Sequence, residues 1–193
     1  HHLQHAGVLR LDHIMSLHRL FWIPEGFRAA DGMYVRYHPE EFYAILALES
    51  RRAHAVIVGE NLGTVPPEVN PAMARHRIHR MFVVQYELPM NPRRTFRRLT
   101  PDVVASLNTH DMPSFAASWE GRDIEQRARL GLLGERAARQ EAAHRRTLCA
   151  LVVKALRRSG WLDGRVVDPA TVFKACLKFL SASGSGSTSN AIK

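Results

Sequence analysis

Cysteine is scarce in this chain of 193 residues: Cys149 and Cys176 are the only two. That excludes a disulfide-stapled scaffold and fits a reducing, cytoplasmic compartment. Long apolar runs are missing too. No stretch approaches the ~18 consecutive apolar residues of a membrane-crossing helix, so no membrane partner is expected. The opening His1-His2-Leu3-Gln4-His5 has neither an initiator methionine nor a signal peptide's apolar stretch, and does not read as a natural start. Lysine is rare, limited to Lys154, Lys174, Lys178 and Lys193, so the positive charge is almost all arginine. Acidic residues run out after Asp168, and Ser181 to Asn190 alternates serine with small residues. Residues 181–193 therefore read as a flexible tail with nothing to bury.

Against these absences, 46% of residues are hydrophobic and 23% charged, enough apolar material for a sizeable core. The net charge of +9 makes a nucleic-acid partner thinkable. No zinc-finger spacing, RNA-recognition signature or aromatic-interleaved basic strip accompanies it, so no nucleic acid is expected. An alternative of another class is a basic module whose helical stretch Glu135 to Ser159 meets an acidic partner. The histidines at 1, 2 and 5 are followed by no metal-ligand spacing, and both cysteines lie in apolar helical stretches where packing explains them.

Short apolar runs alternate with helical stretches. Gly7 to Asp12, Ala55 to Glu60, Met81 to Tyr86 and Val103 to Leu107 read as strands. Pro39 to Ala53 reads as a helix, with Pro39 in its first turn and Glu40 and Glu41 near its positive end. A second helix opens at Pro66-Pro67 and runs to about His76, and Pro89 to Pro101 reads as a loop. From Ser114 onward the chain reads as mainly helical, ending with a helix over Ala170 to Ala182. This order predicts an α/β fold with a parallel sheet.

Three acids fall at the ends of predicted strands: Asp12 after the first, Glu60 after the second and Asp111 after the fourth. Carboxylates from different strands converge at that end of parallel α/β folds. One such acid is usually a helix cap. Three at matching positions leave two chemistries open. Oxygen ligands with His13 or His110 suit a metal. A carboxylate pair suits glycosyl transfer, where a retaining enzyme needs its two carboxyls ~5–5.5 Å apart. Arg10, two residues before Asp12, shares its strand face and would keep it ionised, which favours the second.

Leu9-Arg10-Leu11-Asp12-His13, Gly59-Glu60-Asn61-Leu62-Gly63-Thr64-Val65-Pro66 and Asn108-Thr109-His110-Asp111 resemble, in order, the signatures of the 4-α-glucanotransferases, the amylomaltases or disproportionating enzymes of glycoside hydrolase family 77. Arg19 to Pro24, Gly32 to Tyr37 and Gly121 to Glu125 resemble the family as well. The resemblance implies that residues 1–180 are the C-terminal part of a (β/α)8 barrel, an incomplete barrel holding strands similar to the fourth to seventh. It implies Asp12 as nucleophile, Glu60 as general acid/base, and Asp111 as the residue holding sugar hydroxyls, with Arg10 and His110 lining the same subsite. The reaction implied is transfer of α-1,4-glucan segments from a maltooligosaccharide donor to glucose or another maltooligosaccharide, with retention and without cofactor or metal. Hydrolysis of α-glucans within the same clan is a further alternative. Trp22, Tyr34 and Tyr37 have the rings to stack on glucose, or serve simply as core.

Two departures stand out. The family more often carries Asp at the position of Asn61, which predicts altered electrostatics beside Glu60. The family's first three strands and its eighth have no counterpart. An isolated half-barrel would expose two sheet edges, so this polypeptide alone is expected to be inactive or poorly folded.

Overall fold

A computed structural model describes residues 1–184. They form two compact units. The first is His1–Met81 with Asp102–Val104; the second is Phe82–Pro101 and the chain from Ala105 onward.

The first unit begins with β1 (Val8–Leu11), followed by β2 (Arg19–Trp22), β3 (Met33–Arg36), α1 (Pro39–Ala53), β4 (Val56–Gly59), α2 (Val69–Arg75) and β5 (His79–Val83). β1, β4 and β5 are parallel, in the sheet order β1-β4-β5-β6, where β6 is Val103–Ser106. The helix α1 has the bounds its sequence predicts. Pro39 opens it, Glu40 and Glu41 lie in its first turn, and Arg51 and Arg52 in its last. His54, at φ 50°, turns the chain out of it.

Alternation along β1 divides its side chains between two faces. Leu9 and Leu11 pack against a core of Ile14, Tyr43, Ile57, Val69, Met73 and Ile78. Val8 and Arg10 alternate with them and are exposed. Gly59 ends β4 where there is no room for a side chain. A Cβ there would lie 2.8 Å from Met73 Cε and 2.9 Å from Ile14 Cγ1.

β2 and β3 pair as an antiparallel hairpin, Arg19 opposite Arg36 and Trp22 opposite Met33. The sequence reading contains no strand there. Period 2 is hidden because Leu20, Phe21 and Trp22 are consecutive large apolar residues, all exposed. Cross-strand ring contacts take the place of alternation as the pairing signal. The Phe21 and Tyr34 rings meet edge to face at 5.1 Å, and the Arg19 guanidinium lies 4.1 Å over Tyr34.

The second unit is helical: α3 (Val84–Met90), α4 (Pro92–Thr95), α5 (Phe115–Glu120), α6 (Arg122–Arg129), α7 (Glu135–Arg158) and α8 (Pro169–Gly184). Val84, Leu88, Phe115, Val152, Leu156, Val172 and Phe179 are among its core residues. Phe179 is fully buried and meets the rings of Phe82, Phe96 and Trp161 edge to face. Burial of a side chain of this size contributes roughly 1.5–3 kcal/mol.

Two readings change here. The third strand runs His79–Val83 instead of Met81–Tyr86, because the chain turns helical at Val84, and the Gln85 N–H donates to Leu107 O. Residues 84–86, which read as strand, and 89–90, which read as loop, belong to the helix α3, with Pro89 tolerated near its end, and α4 also lies within the predicted loop. Of the predicted tail, residues 181–184 belong to α8, and 185–193 lie outside the described residues.

Candidate active site

Asp12 and Glu60 leave adjacent parallel strands at the same height. Leu11 pairs with Gly59 in the register, and the backbone pairing continues one step past it. The Glu60 N–H donates to Leu11 O at 2.8 Å, and the Ile14 N–H to Glu60 O at 3.0 Å. Neighbouring strands lie ~4.8 Å apart, so the two acids emerge side by side at the C-terminal ends of β1 and β4. Asp12 is in phase with Arg10, and Glu60 with Val58, on the sheet face opposite the first unit's core.

The two carboxylates are held differently. Glu60 is half-buried, and both of its oxygens accept backbone N–H groups: Oε2 from His13 at 2.9 Å, Oε1 from Leu62 at 2.6 Å. The first contact requires a left-handed turn at His13, where φ is 48°, immediately after Asp12. A single turn thus ends β1 and points a donor at the acid on β4. Asp12 is 76% exposed, and its Oδ1 meets Arg10 Nη2 at 2.6 Å.

Behind them lies a layer of polar contacts. Asn61 Oδ1 accepts the Met81 N–H at 3.0 Å, and its Nδ2 donates to Asn70 Oδ1 at 2.8 Å. Arg10 Nε donates to Met81 Sδ at 3.5 Å. Asn61, which lacks the charge the family more often carries there, has two specific partners. Asn70 and Met81 carried no signal in the sequence. The nearest clue was the polar residue directly after Glu60, which a strand end seldom needs unless its side chain is bonded.

His110 and Asp111 belong to the second unit, following β6 through Leu107, Asn108 and Thr109. The Met112 N–H closes a turn onto Thr109 O at 3.2 Å. His110 Nε2 and Asp111 Oδ2 are 3.3 Å apart, and both side chains are exposed. The structure therefore brings Arg10, Asp12 and Glu60 together in one unit and pairs His110 with Asp111 in the other.

Among the described residues no group of three or more His, Cys, Asp or Glu is placed to hold a metal ion, and no helix is long and apolar enough to cross a membrane. Burial pushes the Cys149 thiol up, and that of Cys176 up to about 12, so neither is a ready nucleophile. Trp22 and Tyr34 are exposed, and Trp22 Nε1 donates to the half-buried Tyr37 hydroxyl at 3.0 Å, so these rings are not core.

Parallel strands delivering paired acids from their C-terminal ends are the arrangement that α/β-barrel active sites use. The residue pattern of one family, 4-alpha-glucanotransferase of glycoside hydrolase family 77, matches residues 1–185, and the chain belongs to that family. A 4-alpha-glucanotransferase of Haemophilus influenzae is 38% identical over 160 residues, covering 83% of this chain and 23% of the relative. One from Mycobacterium tuberculosis is 35% identical over 184 residues, covering 92% and 25%. The crystal structure of amylomaltase from Corynebacterium glutamicum superposes with a TM-score of 0.78 at 30% identity, over 94% of this chain and 27% of that one. The chain spans about a quarter of the length of these relatives. Its fold is part of a (β/α)8 barrel: among the described residues the parallel sheet has four strands and does not close.

Proposed function

We propose that this chain carries the reacting carboxylates of a retaining 4-α-glucanotransferase. The observation that carries the reading is the register of β1 and β4, which sets Asp12 and Glu60 side by side. Asp12, exposed and paired with Arg10, attacks the anomeric carbon of the donor glucan and forms a covalent glucosyl ester. Glu60 protonates the departing glycosidic oxygen. It then takes the proton from the hydroxyl of an acceptor sugar, which displaces Asp12 and restores the α configuration. The backbone donors on its two oxygens fix where that proton is delivered. Asp111, with His110, accepts hydroxyls of the reacting sugar, and Arg10 lines the same subsite. Trp22 and Tyr34 are exposed rings that suit stacking on glucose units of the donor or acceptor. The substrates are a maltooligosaccharide donor and a glucose or maltooligosaccharide acceptor, in the cytoplasm. The polypeptide by itself is inactive or poorly folded, because both edges of its four-stranded sheet are open.

The test is a graft. Residues 1–184 replace the segment they superpose on in the Corynebacterium glutamicum amylomaltase, and maltotriose disproportionation is measured. Asp12→Asn should abolish transfer. Glu60→Gln should lower it by the roughly 10²–10⁴-fold that a positioned acid–base group supplies. Wild-type rates in either variant would refute the role given to that residue. Sugar release that is unaffected by added glucose would point to hydrolysis instead.

A further inference from the structure

Glu60 and Arg10 are tied to one residue on the next strand, and that residue belongs to neither the acid pair nor its subsite. The Met81 N–H is accepted by the side chain of Asn61, the residue after Glu60, at 3.0 Å. The Met81 thioether accepts Arg10 Nε at 3.5 Å, while the other end of the same guanidinium holds Asp12 at 2.6 Å. Asn61 is anchored a second time, through Nδ2 to Asn70 Oδ1 at 2.8 Å, on α2. Asn61, Asn70 and Met81 are all half-buried, so the two contacts of Asn61 are partly shielded from competing water, while the Arg10–Met81 contact is exposed.

The register gives the reason such a tie is useful. β4 and β5 pair at Val58 with His79 and at Gly59 with Arg80. One residue further on, the Met81 N–H also reaches the Asn61 side chain. Asn61 therefore extends the β4–β5 ladder one step beyond the strand, at the level where Glu60 projects. That step ties the residue after Glu60 to β5 as well as to α2.

We infer that Asn61 and Met81 are positioning residues for the acid pair, fixing Glu60 through the end of β4 and Arg10, hence Asp12, through the thioether. The inference rests on the proposed roles of Asp12 and Glu60. It also explains why Asn is compatible with this position, where the resemblance led us to expect Asp. Either residue offers an oxygen to the Met81 N–H, and Asn70 meets Asp by turning its amide so that it donates.

The experiment uses the same graft and reads two quantities. The first is kcat and KM for maltotriose transfer, well below the unfolding temperature. Asn61→Ala should lower kcat by up to about 10²-fold, the order that a misplacement of about 1 Å produces, with KM within about twofold. Asn61→Asp should restore most of the rate. Met81→Ala, which keeps the backbone donor and loses the thioether, should have a smaller effect than Asn61→Ala. The second quantity is hydrogen exchange of the Met81 amide, which should accelerate in Asn61→Ala and return toward wild type in Asn61→Asp. Unchanged kcat in Asn61→Ala, no rescue by Asp, or an equally protected Met81 amide in all variants would overturn the inference. Glu60→Gln in the same graft separates it from the functional reading. If that variant keeps its activity, the role of Glu60 fails, and the amide exchange alone decides whether the Asn61 clamp exists.

Discussion

Arg10–Asp12 in the first unit and Arg145–Asp123 in the second are both arginine–carboxylate pairs, at 2.6 Å and 3.0 Å. Asp12 is 76% exposed and engages one guanidinium nitrogen, whereas Asp123 is 13% exposed and is gripped at both oxygens. Arg145 also donates to the carbonyl and hydroxyl of Ser118, so it links α5, α6 and α7. In the second unit the pair is a fastener, mostly buried and joined at both carboxylate oxygens. In the first, the pair leaves its carboxylate open to an incoming molecule. Burial and the count of donors, more than the identity of the partners, separate an acid that holds structure from one free to react.

That contrast can be broken at several points. The largest effect should come from Arg145→Met, which leaves Asp123 largely buried without its two-pronged partner. Loss of about 3 kcal/mol is expected in urea unfolding of the chain. A loss below about 1 kcal/mol would mean that Arg127, 3.6 Å from Asp123, takes over the role.

The buried side of the first unit supplies a second test. His18 is buried against the Tyr43 hydroxyl at 3.0 Å, and burial holds its pKa below the usual 6.5. Burial likewise pushes Tyr43 up to about 12. The folded chain thus keeps His18 neutral, while the unfolded chain binds a proton as the pH drops through 6.5. His18's contribution is fully present above that pH and is lost progressively below it. The urea midpoint should fall between pH 7.5 and 5.5, and His18→Gln should flatten that slope. A slope unchanged by the substitution would place the titration elsewhere.

The smallest effect on stability belongs to Asp12→Asn. An exposed ion pair contributes between about 0 and 1 kcal/mol, so the unfolding midpoint should barely move while transfer in the graft disappears. A variant that lost both would make Asp12 a second fastener and erase the distinction.

The elements that could be read from sequence were those whose signals are local. α1 carries its own start in Pro39 and its own charges at both ends, and its bounds were legible to the residue. The β-branched run before Glu60 marked β4. The hairpin β2–β3 was not legible, since its pairing depends on contacts between rings fourteen or so positions apart. β5 misled through Val83-Val84, where the β-branched pair continues past the strand's end into a helix. The acids at strand ends were legible by position. Their supports were not: His13 acts through its backbone, and Met81 through its N–H and sulfur, functions that residue type alone does not announce.

Gly59 has a consequence at the level of the gene. Every missense change that a single base can make in a glycine codon installs a Cβ, and here that atom would arrive within 3 Å of two neighbours. The Met73 methyl is the end of a flexible side chain and can swing aside. The branched Ile14 is stiff and belongs to the turn that follows His13. A newcomer at position 59 would therefore be felt at the His13 N–H, and through it at Glu60. Selection acting on the chemistry would then remove variants one residue away from the acid, at a codon that encodes no functional group at all.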